Sequence, residues 1–346
     1  MCRFPQCRPE VLFTNRTCVR GGYDPTASTT VGYLPSTDPD CGSISRKTST
    51  NDRCQVAIGY GTAPPGGCHY GFQGDAATDT VTIGGKSATG VTLVSITTLQ
   101  QGFQGAVTQA AGIWGAGFAL NNILPNTWPP RCGDIACRTK QPAPMEVFLA
   151  NAGLPDEFSV CMGTGTAPGA LVLGGIDPLY YDGAFMTADF LEPYDFYKVN
   201  VTNVHVGTIA YTDIPGTVVD TGTGTVVDSG TPNMGLTDEY YDAFFPPSGY
   251  GAAGCTTDDD CMLGLVIEAA GDGVPFIIKV PGVVTCENSR CHPTEGGLTR
   301  GGLGNKFHMM GFAGMRAYYT HFDLENKTLG FAAASAACTA VQQEPF

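Results

Sequence analysis

The feature that most constrains the fold of this 346-residue chain is its near absence of helical periodicity. Short runs of β-branched and aromatic residues, bounded by Gly or Pro, recur along the sequence and are typical of strands joined by tight turns. The predicted strands are Cys54–Gly59, Asp79–Ile83, Thr89–Thr97, Leu171–Leu173, Tyr197–Val206, Pro275–Val280 and Ala317–Phe322. Only Met145–Ala152 and Asp238–Phe245 carry apolar residues at helical spacing. We therefore predict an all-β fold.

The length of the chain indicates two packed halves, because a single hydrophobic core rarely grows to this size. Residues Val160–Asp177 form a Gly-rich segment around one apolar strand. Gly-rich segments between periodic stretches are typical of connections. We place the boundary near Pro178, which gives halves 1–178 and 179–346.

The chain has fourteen cysteines, far more than a reduced cytosolic enzyme normally carries, and they lack paired zinc-ligand spacing. Three Asn-x-Ser/Thr glycosylation sequons, at Asn15, Asn200 and Asn326, also fit passage through a secretory compartment. The first seven residues, Met-Cys-Arg-Phe-Pro-Gln-Cys, have no apolar secretion signal. We therefore expect a secreted or lumenal protein whose native start is missing from this sequence.

The charge balance excludes several classes of partner. Thirty-two acidic and eighteen basic residues give a formal net charge of −14, which argues against nucleic acid and anionic membrane surfaces. The sequence has no uninterrupted apolar run long enough to span a bilayer, so we expect no membrane segment.

Metal and nucleophile motifs are also missing from the sequence. The five histidines form no His-Glu-x-x-His, and no Gly-x-Ser-x-Gly elbow or phosphate-binding loop is present. The acidic run Asp258–Asp260 is interpreted as a solvated loop rather than a cation site. We expect no metal and no cofactor.

The chemistry of the chain is concentrated in an eight-residue tandem, Gly216–Thr223 followed by Gly224–Thr231. Each copy is a β-branched run that ends in Asp-Ser/Thr-Gly-Thr and presents Asp220 or Asp228. Glycine permits the sharp turn that follows the aspartate, and the neighbouring hydroxyls can donate to the carboxylate. The tetrapeptide alone is also compatible with an ordinary Asp-Gly turn.

Longer segments carry a resemblance to a known family. Residues Val226–Phe244 resemble the second catalytic-aspartate segment of pepsin-like aspartic proteases, and are most similar to the β-secretase branch. Further similar segments follow the family's order along the chain: the flap Tyr60–Thr62, the hydrophobic-hydrophobic-Gly element Ile113–Gly115, the lobe junction Leu173–Asp177, and the closing segments His308–Asp323 and Leu329–Phe331.

This resemblance implies a bilobal pepsin-like acid protease fold and an aspartic endopeptidase. In that family two aspartates share one proton and activate a water molecule, without a metal, a cofactor or a covalent intermediate. The implied substrate is a peptide or protein, and the implied location is outside the cell or in an acidic secretory or vacuolar lumen. We expect a monomer.

Asp228 is the preferred catalytic residue and Asp220 the less favoured one, because Pro232–Met234 and the predicted helix follow Asp228 at the family's spacing. The two cannot serve as a pair, since eight residues of extended strand cover roughly 26 Å. The resemblance implies substrate contacts at five positions: Tyr60, Gly61, Thr62, Gly230 and Thr231.

The first half of the sequence departs from the family pattern. Asp24, Asp75 and Asp79 do not stand in Asp-Ser/Thr-Gly, and no Asp-Thr-Gly-Ser is present. We expect that the chain starts after the first catalytic aspartate, has an incomplete N-terminal lobe and is inactive alone. The alternative is a catalytically inactive relative that binds a peptide or protein in the cleft.

The cysteines add an expectation about disulfides. Close spacing suggests four pairs: Cys54–Cys68, Cys132–Cys137, Cys255–Cys261 and Cys286–Cys291. Each half holds an odd number of cysteines, so complete pairing within the chain requires at least one bridge between the halves. The resemblance places two segments side by side and thereby implies Cys161–Cys338. Pairing of Cys2 or Cys7 with a cysteine outside the sequence would break the parity argument.

Overall fold

A computed structural model shows two compact units, Met1–Gly153 and Leu154–Phe346. The structure describes residues 24–37, 52–60, 70–99, 114–118, 143–163, 169–214, 224–246, 251–252, 262–287, 290–302 and 305–339.

The first unit contains a four-stranded antiparallel sheet. Its strands are β1 (Gly32–Tyr33), β2 (Gln55–Tyr60), β3 (Tyr70–Ile83) and β4 (Lys86–Leu99), and β3 pairs with the other three. Gly84 and Gly85 join β3 to β4 with φ of 57° and 74°, the left-handed conformations that a two-residue hairpin turn requires. Helix α1 (Pro144–Asn151) is linked to β4 by a 2.7 Å hydrogen bond from Asn151 Nδ2 to the Thr89 carbonyl.

The described residues of the second unit form three sheets. The largest has eight strands: β8 (Lys198–Val206), β9 (Ile209–Ala210), β10 (Gly224–Val227), β11 (Met234–Leu236), β13 (Leu263–Ile267), β14 (Phe276–Val280), β17 (Leu298–Arg300) and β18 (His308–Met310). They lie in the order β14-β13-β8-β10-β18-β11-β17, with β9 paired to β8. A 3₁₀ helix, Tyr211–Asp213, follows β9, and helix α2 (Asp238–Phe244) follows β11.

A three-stranded sheet, in the order β12-β16-β15, consists of β12 (Gly251–Ala252), β15 (Val284–Glu287) and β16 (Arg290–Pro293). Cys286 lies directly opposite Cys291 in the register of β15 and β16. Cys291 takes part in a disulfide bond.

The third sheet has five strands in the order β6-β5-β19-β20-β7. They are β5 (Glu157–Cys161), β6 (Ala170–Leu173), β7 (Tyr181–Asp189), β19 (Tyr318–Asp323) and β20 (Thr328–Ala334). Helix α3 (Phe312–Met315) precedes β19, and helix α4 (Ala336–Thr339) follows β20. The disulfide Cys161–Cys338, which the resemblance implied, links β5 to α4 with a Cα–Cα distance of 5.5 Å.

The pairing of β5 with β19 explains why residues from Leu154 onward belong to the second compact unit. The boundary near Pro178 remains a prediction about lobe organisation. The all-β prediction is confirmed, since strands dominate the described residues and the helices within them are short. Among the described residues, no helix is both long enough and apolar enough to cross a bilayer.

The structure describes only some of the cysteines in the other predicted disulfides. Cys54 takes part in a disulfide bond, and its proposed partner Cys68 lies outside the described residues. The pairs Cys132–Cys137 and Cys255–Cys261 also lie outside the described part of the chain. These three pairings and Cys286–Cys291 stay predictions.

Candidate active site

The candidate site is built on β10, a strand whose four residues are all buried. It lies between β8, which pairs with it antiparallel, and β18, which pairs with it parallel. The small and β-branched residues Gly-Thr-Val-Val suit a strand that is covered on both faces. The chain therefore leaves the middle of a sheet just before Asp228.

The turn after β10 holds the Asp228 carboxylate at both oxygens. The Gly230 N–H donates to Oδ1 at 2.8 Å, and the Thr231 hydroxyl donates to Oδ2 at 2.7 Å. The Asp228 N–H itself donates to the Met310 carbonyl on β18 at 3.0 Å. The side chain is partly exposed while Gly230 and Thr231 set its orientation, and this arrangement suits a carboxylate that works on a bound water.

Two glycines around this turn leave little room for a side chain, and Gly311 leaves none. A Cβ at Gly230 would lie 3.1 Å from Asp228 Oδ1, in the space that the hydrogen bond occupies. A Cβ at Gly311, directly after β18, would lie 2.2 Å from the Asn233 carbonyl oxygen and 2.3 Å from that of Thr231. Gly311, which belongs to the closing segment His308–Asp323, therefore lets the segment after Asp228 pass close to the end of β18.

The segment after the turn continues into the same sheet. β11 pairs antiparallel with β18, so β18 lies between the strand that precedes Asp228 and the strand that follows it. The Phe312 N–H donates to the Thr231 carbonyl at 2.6 Å, and the Ala313 N–H donates to the Pro232 carbonyl at 3.1 Å. Two parts of the chain that are far apart in sequence thus fix the turn jointly.

Lys198 lies on β8 opposite Val226 of β10 and is buried. Its Nζ is 2.7 Å from Asp195 Oδ1 and lies over the Phe307 ring, 5.2 Å from the centroid. A buried ammonium group requires such a partner. The sequence offers only an acidic residue three positions earlier as a signal for this pair, and the pair was not predicted.

His308 lies on β18 opposite Thr225, and its ring is buried. Nδ1 accepts a hydrogen bond from the Thr237 N–H at 3.3 Å, and Nε2 has no hydrogen-bond partner among the described residues. The Tyr240 ring meets the imidazole edge-on with centroids 4.7 Å apart. Burial lowers the pKa of His308 from 6.5 to about 4, because the charged ring would lose its solvation.

We expect His308 to make the stability of the second unit depend on pH. Its folded-state pKa of about 4 lies below the unfolded value of 6.5, so unfolding takes up a proton. The stabilisation is complete above about pH 6.5, decreases as the pH falls to about 4 and then levels off, for a total loss of about 3 kcal/mol. Urea unfolding of the wild type and of His308→Gln at a series of pH values measures this contribution as the difference in slope.

His205→Gln is the control, because His205 lies on β8 of the same sheet and is only partly buried. That variant should keep the wild-type dependence on pH between 6.5 and 4, whereas His308→Gln should lose it. An unchanged slope in His308→Gln would show that other groups take up the protons.

The structure brings together three of the residues named from the sequence: Asp228, Gly230 and Thr231. Gly230 and Thr231 hydrogen-bond the aspartate, and their contact with substrate remains a prediction. Tyr60 is the last residue of β2, and its side chain lies outside the described part of the structure. Gly61, Thr62 and Asp220 also lie outside the described residues.

Among the residues that the structure describes, no group of three or more His, Cys, Asp or Glu side chains is placed to hold a metal ion. The acidic run Asp258–Asp260 is outside that part. Sequence reasoning did not predict the Met310 carbonyl as a partner of the aspartate or the close approach at Gly311. The resemblance of His308–Asp323 to the family's closing segment indicated this part of the chain but not its geometry.

Comparison with known proteins agrees with this geometry. A family model described as eukaryotic aspartyl protease matches residues 42–334. A probable aspartic-type endopeptidase of Aspergillus fumigatus is 27% identical over 271 residues, covering 71% of this chain and 60% of that protein. Pepsin II-2/3 of Oryctolagus cuniculus is 27% identical over 188 residues, covering 53% of this chain and 48% of that protein.

The chain thus spans roughly half to three fifths of the length of these curated relatives. The family match extends over most of the sequence and includes the strand and turn around Asp228 as well as β18 and β19. This all-β chain belongs to the eukaryotic aspartyl protease family and has a fold consistent with that of the pepsin-like enzymes.

Proposed function

We propose that this chain provides Asp228 as one catalytic carboxylate of an aspartic endopeptidase. The observation that supports the proposal is the fixed carboxylate itself: both oxygens accept hydrogen bonds at the end of a buried strand, and the side chain still reaches solvent. A carboxylate that served only to close an ordinary turn would not need a second strand at Met310 and Gly311 to shape its surroundings.

The chemistry requires a second carboxylate. One group takes a proton from the attacking water, the other donates a proton to the carbonyl oxygen, and a single carboxylate cannot do both at once. Asp220 and Asp228 are the two aspartates of this sequence that stand in Asp-Ser/Thr-Gly, and the eight residues between them, which cover roughly 26 Å when extended, keep them from forming the pair. We therefore propose that residues 1–346 do not hydrolyse peptides by themselves and that the N-terminal lobe is incomplete.

The remaining roles follow from the family pattern. Tyr60, Gly61, Thr62, Gly230 and Thr231 are proposed to contact a peptide or protein substrate. The cysteine content and the disulfide Cys161–Cys338 support an oxidising compartment, either outside the cell or in an acidic secretory or vacuolar lumen. We also propose that the chain is most similar to the β-secretase branch and that it is a monomer.

The test starts from the reading frame upstream of Met1, which is proposed to encode Asp-Thr-Gly-Ser. Hydrolysis of a peptide library at acid pH is then compared between residues 1–346 and the same residues preceded by that segment. Turnover by the extended chain only is the expected result. An extended chain that folds and binds peptides without cleaving them would favour the inactive relative that binds peptide in its cleft.

A further inference from the structure

Two sequons fall within the described residues, and their surroundings differ. Asn200 is on β8, inside the eight-stranded sheet, and Asn326 is in the turn between β19 and β20. N-linked glycans are bulky and are carried on surfaces. The structure therefore separates two sites that the sequence treats alike.

The Asn200 side chain is only partly exposed and belongs to a central strand of the sheet. Its backbone pairs with Gly224 of β10, and its carbonyl accepts from the Glu268 N–H at 3.1 Å. Its Nδ2 donates to Glu268 Oε2 at 2.5 Å, while Oδ1 is buried without a partner among the described residues. The sequon hydroxyl, on Thr202, donates to the Val266 carbonyl at 3.3 Å. Because Oδ1 is buried, a sugar on the same amide would lie against the sheet rather than in open solvent.

The Asn326 side chain is exposed in a four-residue turn. Its N–H donates to Asp323 Oδ1 and its Nδ2 donates to Asp323 Oδ2, both at 2.8 Å. Lys327 has a φ of 58°, which turns the chain into β20 immediately after the asparagine. An amide nitrogen carries two hydrogens. Attachment of a sugar removes one of them and leaves the other for Asp323.

We propose that Asn326 is a glycan-bearing residue of this protein and that Asn200 is not. In the transfer, Asn326 Nδ2 forms a bond with C1 of an N-acetylglucosamine-terminated oligosaccharide on a lipid pyrophosphate. The bond from C1 to the pyrophosphate oxygen breaks, and one amide proton is released, so no oxidant or reductant is involved. At Asn200 the same product would lie against the face of the sheet in the middle of a central strand, where Oδ1 is already buried.

The experiment uses the full chain fused to a cleavable secretion leader in a eukaryotic host, so that entry into the lumen does not depend on the proposed function. Peptide mapping after enzymatic deglycosylation in ¹⁸O-water reads each sequon separately, because the reaction converts the glycosylated Asn to labelled Asp. Label on the Asn326 peptide with none on the Asn200 peptide is the expected result.

Thr328→Ala and Thr328→Ser form a matched pair, since only the serine keeps the Asn-x-Ser/Thr sequon. The label on Asn326 should disappear in the first variant and persist in the second. Label on the Asn200 peptide of the secreted chain, or its absence from the Asn326 peptide, would overturn the proposal. Neither outcome depends on whether the protein cleaves peptides.

Discussion

Replacing Asp228 by Asn in a chain that carries both catalytic carboxylates is expected to reduce peptide hydrolysis by at least about 1000-fold. The amide is nearly isosteric with the carboxylate, and its oxygen can still accept from the Gly230 N–H, which donates at 2.8 Å in the structure. The turn should therefore persist, while the group loses its ability to accept and return a proton. The measurement is kcat/KM on a cleaved peptide across the acid pH range, together with the melting temperature.

Asp220→Asn is the matched control, because the two aspartates occupy equivalent positions in the tandem Gly216–Thr223 and Gly224–Thr231. That variant should keep a substantial part of the activity. If Asp220→Asn instead lost the activity and Asp228→Asn kept it, Asp220 in the first copy of the tandem would be the catalytic residue. An equal and complete loss in both variants, with the fold intact, would contradict the assignment of a single catalytic aspartate to this segment.

Much of the candidate site could be predicted because its determinants are local. Asp228, Gly230 and Thr231 lie within four residues, and the hydrogen bonds between them follow from the turn that Asp-Ser-Gly-Thr favours. The helix after β11 could also be predicted from apolar spacing, and it ends within one residue of its expected limit. Local hydrogen bonding and periodicity need no knowledge of the rest of the chain.

Other features of the site depend on contacts between distant segments. The Met310 carbonyl accepts from the Asp228 N–H although Met310 lies more than eighty residues later in the chain. No pattern in the sequence predicts that β18 lies between β10 and β11. The same holds for His308, whose burial and pKa of about 4 result from the elements around it. Apolar patterns show that a residue is in a core but not which residue lies opposite it.

The first unit shows how glycine misleads a prediction of strand length. The predicted strand Asp79–Ile83 is only the last part of β3, which begins at Tyr70 and includes Gly71 and Gly74. The register shifts between Gln73 and Gly74, and a Cβ on Gly74 would lie 2.3 Å from the Ser95 carbonyl oxygen. Glycine is required there because the strands approach closely at a bulge. In the sequence alone, the same glycine predicts the end of a strand.

Opening the disulfide between Cys161 and Cys338 is expected to cost the second unit roughly 5 kcal/mol of unfolding free energy on the chain-entropy model. The bridge joins residues 177 positions apart, and a longer closed loop restricts the unfolded chain more strongly. Both sulfurs lie in a buried cluster with Tyr319, so alanine at either position also removes some apolar contact. Non-reducing urea unfolding of the variants measures the sum of these effects.

The single variants separate the bridge from its packing. Cys161→Ala and Cys338→Ala each open the same loop, so each should lose nearly as much stability as the double variant. Independent packing losses would instead add up, and each single variant would lose only about half as much as the double variant. Measurement at acid pH keeps the freed thiol protonated and slows exchange with the other cysteines. Small losses that add up across the two sites would show that the bridge contributes packing but little constraint on the unfolded chain.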